Sequence, residues 1–192
     1  MIICHQFGFI VETGISLWRH PMVGIHPLVL QLKFTRNEFR RGLKGLSDED
    51  ARKRLMPMNC ISWNVGHLAW QEQRYFLYYG QGLMPFPDVQ EAYSYGAPAS
   101  TPYLSEVLAY WRKITAANDS WLESLTTEKL QEHYIKPDGK PGTRILGALL
   151  LRTIYHYWYH TGENLAIRQM LGHTNLPQFV GNIDRQAPYV PE

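Results

Sequence analysis

Hydrophobic periodicity constrains this chain more than any single motif. Four long stretches repeat apolar residues at steps of three and four, and none alternates for the length of a half-buried strand. In the first, Leu28, Leu32, Thr35, Phe39, Leu43 and Leu46 share a face, with Pro27 suited to the opening turn and an end near Gly45. The second takes Ser62 as N-cap and runs to about Tyr79, where Gly80, Gly82, Pro85 and Pro87 break it. The third opens on the cap-then-proline signal Thr101-Pro102, with Thr101 as N-cap, and carries Leu104, Leu108, Trp111, Ile114, Trp121 and Leu125. Thr143 caps the fourth, roughly 28 residues or about 42 Å at 1.5 Å per residue, which stops at Gly172. This pattern predicts an all-α four-helix bundle, whose long loops after the second and third helices allow up-down or crossed connections.

Ser47 with Asp50 three residues on predicts a short connector helix through Leu55, stopped by Pro57. Residues 80–100 and the polar run 136–142 read as loops. The bundle is thus expected over residues 26–172, after an N-terminal extension of unclear role at 1–25. It precedes a tail at 173–192 whose prolines favour an extended course over the surface. A chain of 192 residues can fold on one core without disulfides.

Charge and cysteine content narrow the function. Lys and Arg number 19 against 17 Asp and Glu, for a net +2, and they form no basic block, so nucleic acid is not an expected partner. Cys4 and Cys60 are far apart with no CxxC spacing, which suits a reducing compartment and excludes a cysteine zinc site. The longest apolar run near a candidate span, Ile145 to Leu151, is far short of the roughly 20 residues a membrane crossing needs. The first 25 residues lack a basic n-region and a small-x-small cleavage site. A cytoplasmic protein is expected, with no membrane contact.

Among eight histidines, His156 and His160 stand out. Four residues on a helix advance 400°, so both imidazoles share a face and can converge on one ion. The row Leu149, Thr153, His156, His160, Glu163, Ile167 has apolar ends and should face the interior. Spacing alone leaves two readings, half of a metal site or a hydrogen-bonded pair. A third ligand must come from another helix, and His67, flanked by Trp63 and Trp70, is the candidate. Glu163 is open to four roles: ligand, acceptor behind a ligand, general base, or solvated charge. Glu72, about 140° round the helix from His67, points elsewhere, and Cys60 is better suited to the core than to nucleophilic work.

The phrases Ile61-Ser-Trp-Asn-Val-Gly-His-Leu68 and His156-Tyr-Trp-Tyr-His160-Thr-Gly162-Glu163 resemble those of the DinB-like family of metal-binding four-helix bundles, which is distinct from the DNA polymerase sharing that name. The resemblance covers roughly Pro27 to Leu171 and makes His67, His156 and His160 the metal triad. Family members often have Gln where this chain has Glu163, a departure that adds negative charge beside the metal.

The resemblance further implies a homodimer holding zinc, with nickel or iron as alternatives, and relatives that include bacillithiol- or mycothiol-dependent S-transferases and isomerases. Three neutral ligands leave coordination positions free, and a cation there lowers the pKa of a bound water or thiol. The expectation is a metal-dependent enzyme of the thiol S-transferase or hydrolase type. It would act on a small-molecule substrate, with Glu163 as catalytic acid/base and a low-molecular-weight thiol as a further cofactor. The rival is a non-catalytic dimeric protein that binds a metal or small ligand. An open pocket beside the metal favours the first, and a closed four-ligand site favours the second. Excess apolar circumference between Trp63 and Tyr79 adds to the homodimer expectation.

Overall fold

A computed structural model describes residues 24–178 and 180–190; the expected N-terminal extension lies almost wholly outside them. The chain is mostly helical: α1 (Pro27–Gly42), α2 (Asp48–Arg52), α3 (Ile61–Glu72), a π-helical turn (Gln73–Tyr78) and α4 (Tyr79–Gln81). Then come α5 (Pro87–Tyr93), α6 (Leu104–Glu123), α7 (Thr127–Gln131), β1 (His133–Ile135), β2 (Pro141–Ile145), α8 (Leu146–Met170) and α9 (Ile183–Gln186). The four periodic stretches correspond to α1, the run from α3 through α4, α6 and α8. In the core α1 packs on α8, and α3 packs on α6, α5 and α8.

Helix α3 is the central element. All 12 of its residues are buried, which its small and apolar composition permits on every side. The surplus apolar surface between Trp63 and Tyr79 is largely covered within the chain, because the expected loop 80–100 contains α5. Gln73 fixes the entry to α5 by donating to the Phe86 carbonyl and accepting from the Phe86 N–H, at 2.8 and 2.9 Å. At its other end the Tyr93 ring lies against Gly66, where a Cβ would stand 2.7 Å from ring carbons. Part of the sequence argument for a dimer is therefore met by this chain's own helix.

One carboxylate ties four helices. Glu72, fully buried, accepts from Arg36 of α1 through two guanidinium nitrogens, from Asn118 of α6 at 3.2 Å and from the Tyr157 hydroxyl of α8 at 2.7 Å. Trp111 Nε1 donates to the same hydroxyl at 2.6 Å, and Arg36 also reaches Asp119 at 2.7 Å. Burial works against the Arg36 charge, yet Glu72 outweighs it and raises the guanidinium pKa. Glu72 does point away from the histidines, as its place on the helix predicts.

Three expected caps fall elsewhere. Helix α3 begins one residue ahead of Ser62, from an extended Cys60, and Ser62 is buried with its hydroxyl 3.2 Å from the Cys60 sulfur. Thr101 does not cap α6; the carboxylate of Asp48 in α2 accepts from the Leu104 N–H at 2.7 Å and supplies that cap from a distance. Thr143 lies in β2, part of a hairpin the periodicity missed, with His133 paired to Ile145 and Ile135 to Pro141. Its turn uses Gly139 at φ +77°. Ser47 does cap α2, accepting from the Asp50 N–H at 3.0 Å. The expected extended tail includes the single turn α9 and lies along α1: Gln31 donates to the Ala187 carbonyl at 2.8 Å, and the Gly181 N–H donates to Glu38 at 2.8 Å.

Candidate metal centre

His67 sits mid-way along α3, its ring stacked between Trp63 one turn before and Trp70 one turn after, at centroid distances of 4.9 and 5.0 Å. Its Nδ1 lies 2.7 Å from the Tyr93 carbonyl at the end of α5. A carbonyl only accepts, so Nδ1 carries the proton and Nε2 keeps its lone pair. Burial, the largest influence, lowers the His67 pKa to about 4, which leaves the ring neutral at pH 7.

His156 and His160 come from one face of α8, as the four-residue spacing predicts, and their ring centroids lie 4.9 and 5.5 Å from that of His67. His160 Nδ1 lies 2.7 Å from a Glu163 carboxylate oxygen, which fixes the proton there and turns the Nε2 lone pair inward. The same oxygen accepts from Asn64 of α3 at 3.0 Å, and Asn64 also donates to Asn164 at 2.9 Å. Asn64 thus couples the two histidine-bearing helices behind the cluster.

The three side chains fit a metal ion. One nitrogen from each of His67, His156 and His160 lies within 4.8 Å of the others, forming a cluster that could hold one. His156 Nε2 faces His160 Nε2 at 2.9 Å, and its buried Nδ1 has no partner among the described residues. Two inward lone pairs repel unless a proton or a cation lies between them. Burial, then the neighbouring histidines, lowers the His156 pKa to about 3, so at neutral pH the ring holds one proton, which bridges the pair from Nε2 only by leaving the buried Nδ1 as a bare acceptor. A divalent cation satisfies all three nitrogens at once.

Beside the histidines lies a cavity of about 600 Å³, with His67 and His156 in its wall. Arg74 from the π-helical turn, Arg144 from β2 and Arg152 from α8 also line it, together with tyrosines including Tyr79 and Tyr134. Those two rings stack at 4.2 Å, seating the hairpin against the end of α4. Glu163 is not in the cavity wall; it stands behind His160.

The family model described as the DinB superfamily matches residues 31–163, more than half of the chain. The chain belongs to the DinB superfamily. No curated protein matches it. The DinB match contains all three histidines, Asn64 and Glu163, and ends on that carboxylate. The DinB-type cluster joins the three histidines expected from the sequence and leaves out Cys60, whose thiol is buried beside Ser62.

The sequence reading singles out none of Asn64, Arg74, Arg152, Tyr93 and Arg144, all of which contribute to the cluster or its cavity. Asn64 precedes His67 by three residues and Arg152 precedes His156 by four, so the helical rows that revealed the histidines also contain them. Tyr93 and Arg144 carry no such signal, since they arrive on α5 and on the hairpin. Among the described residues no helix is long and apolar enough to cross a membrane.

Proposed function

We propose that this protein is a metal-dependent enzyme in which His67, His156 and His160 hold one divalent ion, with zinc the first candidate and nickel or iron the alternatives. The observation that carries this reading is the pairing of a three-histidine cluster with an adjoining open cavity, since a purely structural ion needs no space for a reactant. A metal held by three neutral ligands supplies Lewis-acid chemistry and favours a thiolate or hydroxide over its protonated form. The reaction class is accordingly thiol S-transfer or hydrolysis of a small molecule.

The chain's own groups prepare that chemistry. The Tyr93 carbonyl and the Glu163 carboxylate select the tautomers of His67 and His160, so both rings present lone pairs without rearranging. The two tryptophans beside His67 limit water and fix the ring plane. Glu163 acts through His160 as a positioning residue, its reactive oxygen being already shared between His160 and Asn64.

Metal analysis of purified protein tests the reading. One ion per chain in wild type, and none in the triple His67/His156/His160→Ala variant, is the expected result; equal content in both would refute it. Cobalt-loaded protein then separates the chemistries. A sulfur charge-transfer band on adding bacillithiol, mycothiol, glutathione or cysteine in turn supports thiol transfer, whereas no band together with metal-dependent ester or amide hydrolysis supports the hydrolase.

The homodimer remains part of the proposal. Tyr155, Tyr159 and Met170 are 65–69% exposed on α8, an apolar surface left uncovered by the described residues. Sedimentation giving only a 22.3 kDa species at micromolar concentration would count against it.

A further inference from the structure

The cavity beside the histidines has an unbalanced charge. Arg74, Arg144 and Arg152 line it, and among the described residues no Asp or Glu does. The side chains of Arg144 and Arg152 make no hydrogen bond or ion pair among the described residues, although this chain readily pairs its cations elsewhere, as Arg36 does with Glu72 and Lys53 with Asp50. Arg74 is held without a carboxylate: its Nε donates to the Tyr79 hydroxyl at 3.1 Å, and its guanidinium lies 5.4 Å from the Trp70 ring centre and 5.5 Å from that of Tyr79. A guanidinium fixed in this way keeps its outer N–H groups free for a planar or tetrahedral anion.

These cations lie in a consistent direction from the histidines. Asn64 meets Glu163 and, three residues further along α3, His67 meets His156, seven residues earlier on α8, so the two helices run antiparallel and going forward from His67 is going backward from His156. Arg152 is four residues from His156 and Arg74 seven from His67, or about 6 and 10 Å along the axes at 1.5 Å per residue. The hairpin brings Arg144 to the same wall, with Tyr134 beside Tyr79. A divalent ion on three neutral imidazoles would add to this positive charge, and the carboxylate bonded to the cluster, Glu163, stands outside the cavity.

We propose that the cavity takes a small anionic molecule whose carboxylate or phosphate is held by Arg74, Arg144 and Arg152 while its other end meets the three histidines. This assignment rests on the metal-enzyme reading and names its substrate class. The aromatic walls favour a ligand with a flat or apolar body between its anionic end and its reacting end.

Calorimetric titration of the full chain, metal-free and metal-loaded, with phenyl phosphate, phenylacetate and the neutral phenylacetamide tests it. At least one anion should bind about tenfold or more tighter than the amide, in both forms, with each of Arg144→Gln and Arg152→Gln weakening it about tenfold. Tighter phenyl phosphate identifies a phosphoryl ligand, and tighter phenylacetate a carboxylate. Both arginines are exposed, so these variants should unfold as wild type does. Equal binding of all three probes to the metal-free chain, or anion binding unchanged by either variant, would overturn the proposal. Metal content is read separately: a wild type that takes up no metal yet binds the anion sinks only the enzyme reading, and metal uptake without anion selectivity sinks only this one.

Discussion

Asn64 on α3 and Glu163 on α8 meet through a 3.0 Å hydrogen bond, and the carboxylate oxygen that accepts it also lies 2.7 Å from His160 Nδ1. A single acceptor therefore sets both the tautomer of a ligand and the spacing of the helices that carry the cluster. Partners of this kind raise ligand basicity, and their loss typically weakens metal binding by about 10- to 100-fold. Glu163→Ala should fall in that range, while Glu163→Gln, which still offers His160 an oxygen, should retain more affinity. Competition against a chromophoric chelator measures it, and equal affinities for wild type and Glu163→Ala would show that His160 needs no such support.

Gly66→Ala tests the role of α5. The new methyl would stand 2.7 Å from the Tyr93 ring, too close to be absorbed without movement of α5. The expected cost is about 1–3 kcal/mol of stability, as for other overpacked cores. Because Tyr93 also supplies the carbonyl that holds His67, metal affinity should fall with stability. A urea midpoint shift with unchanged chelator competition would separate α5 from the metal centre.

What the sequence made legible is what one helix determines locally. The His156–His160 pair and its buried row follow from 100° per residue, and His67 announced itself through tryptophans on the same face. The elements that stayed hidden are held by distant partners. Pro85 and Pro87 read as breakers, yet Pro87 opens α5, which Gln73 and Gly66 anchor from another helix. The cap of α6 comes from Asp48, 56 residues away in sequence. Strands of 3 and 5 residues are too short to display alternation, although Asp138-Gly139 marked their turn. The three arginines of the cavity come from three separate elements, so no single window of sequence contains it.

Acid should weaken the junction between α2 and the end of α8. Hydrogen bonds from Lys53, Ser47 and His173 hold the Asp50 pKa at about 2, below the ordinary 3.8 of an aspartate. The unfolded chain therefore takes up this proton first, and the stability Asp50 supplies is complete above about pH 4 and lost as pH falls through 2. Asp50→Asn should flatten that part of the acid-unfolding profile followed by circular dichroism. An unchanged slope below pH 4 would show that these exposed bonds add nothing measurable.

The Glu72 network makes the strongest stability prediction. The carboxylate is wholly buried, and Arg36 is 5% exposed, so neither charge can turn to water when its partner is removed. Glu72→Gln leaves the Arg36 guanidinium with Asp119 as its remaining ion-pair partner and disturbs the acceptor used by Tyr157 and Asn118. Removing one side of a buried pair costs about 3–5 kcal/mol, more than the pair itself contributes against an apolar replacement. Arg36→Met should be similarly damaging, because it strands the anion. The double variant Arg36→Met/Glu72→Gln removes both charges together and should be less destabilised than the sum of the singles by about 1–3 kcal/mol. Equilibrium urea unfolding of the four proteins measures that coupling. Additive losses would mean that Arg36 and Glu72 act independently, and single losses under about 1 kcal/mol would mean that apolar packing alone holds the four helices in register.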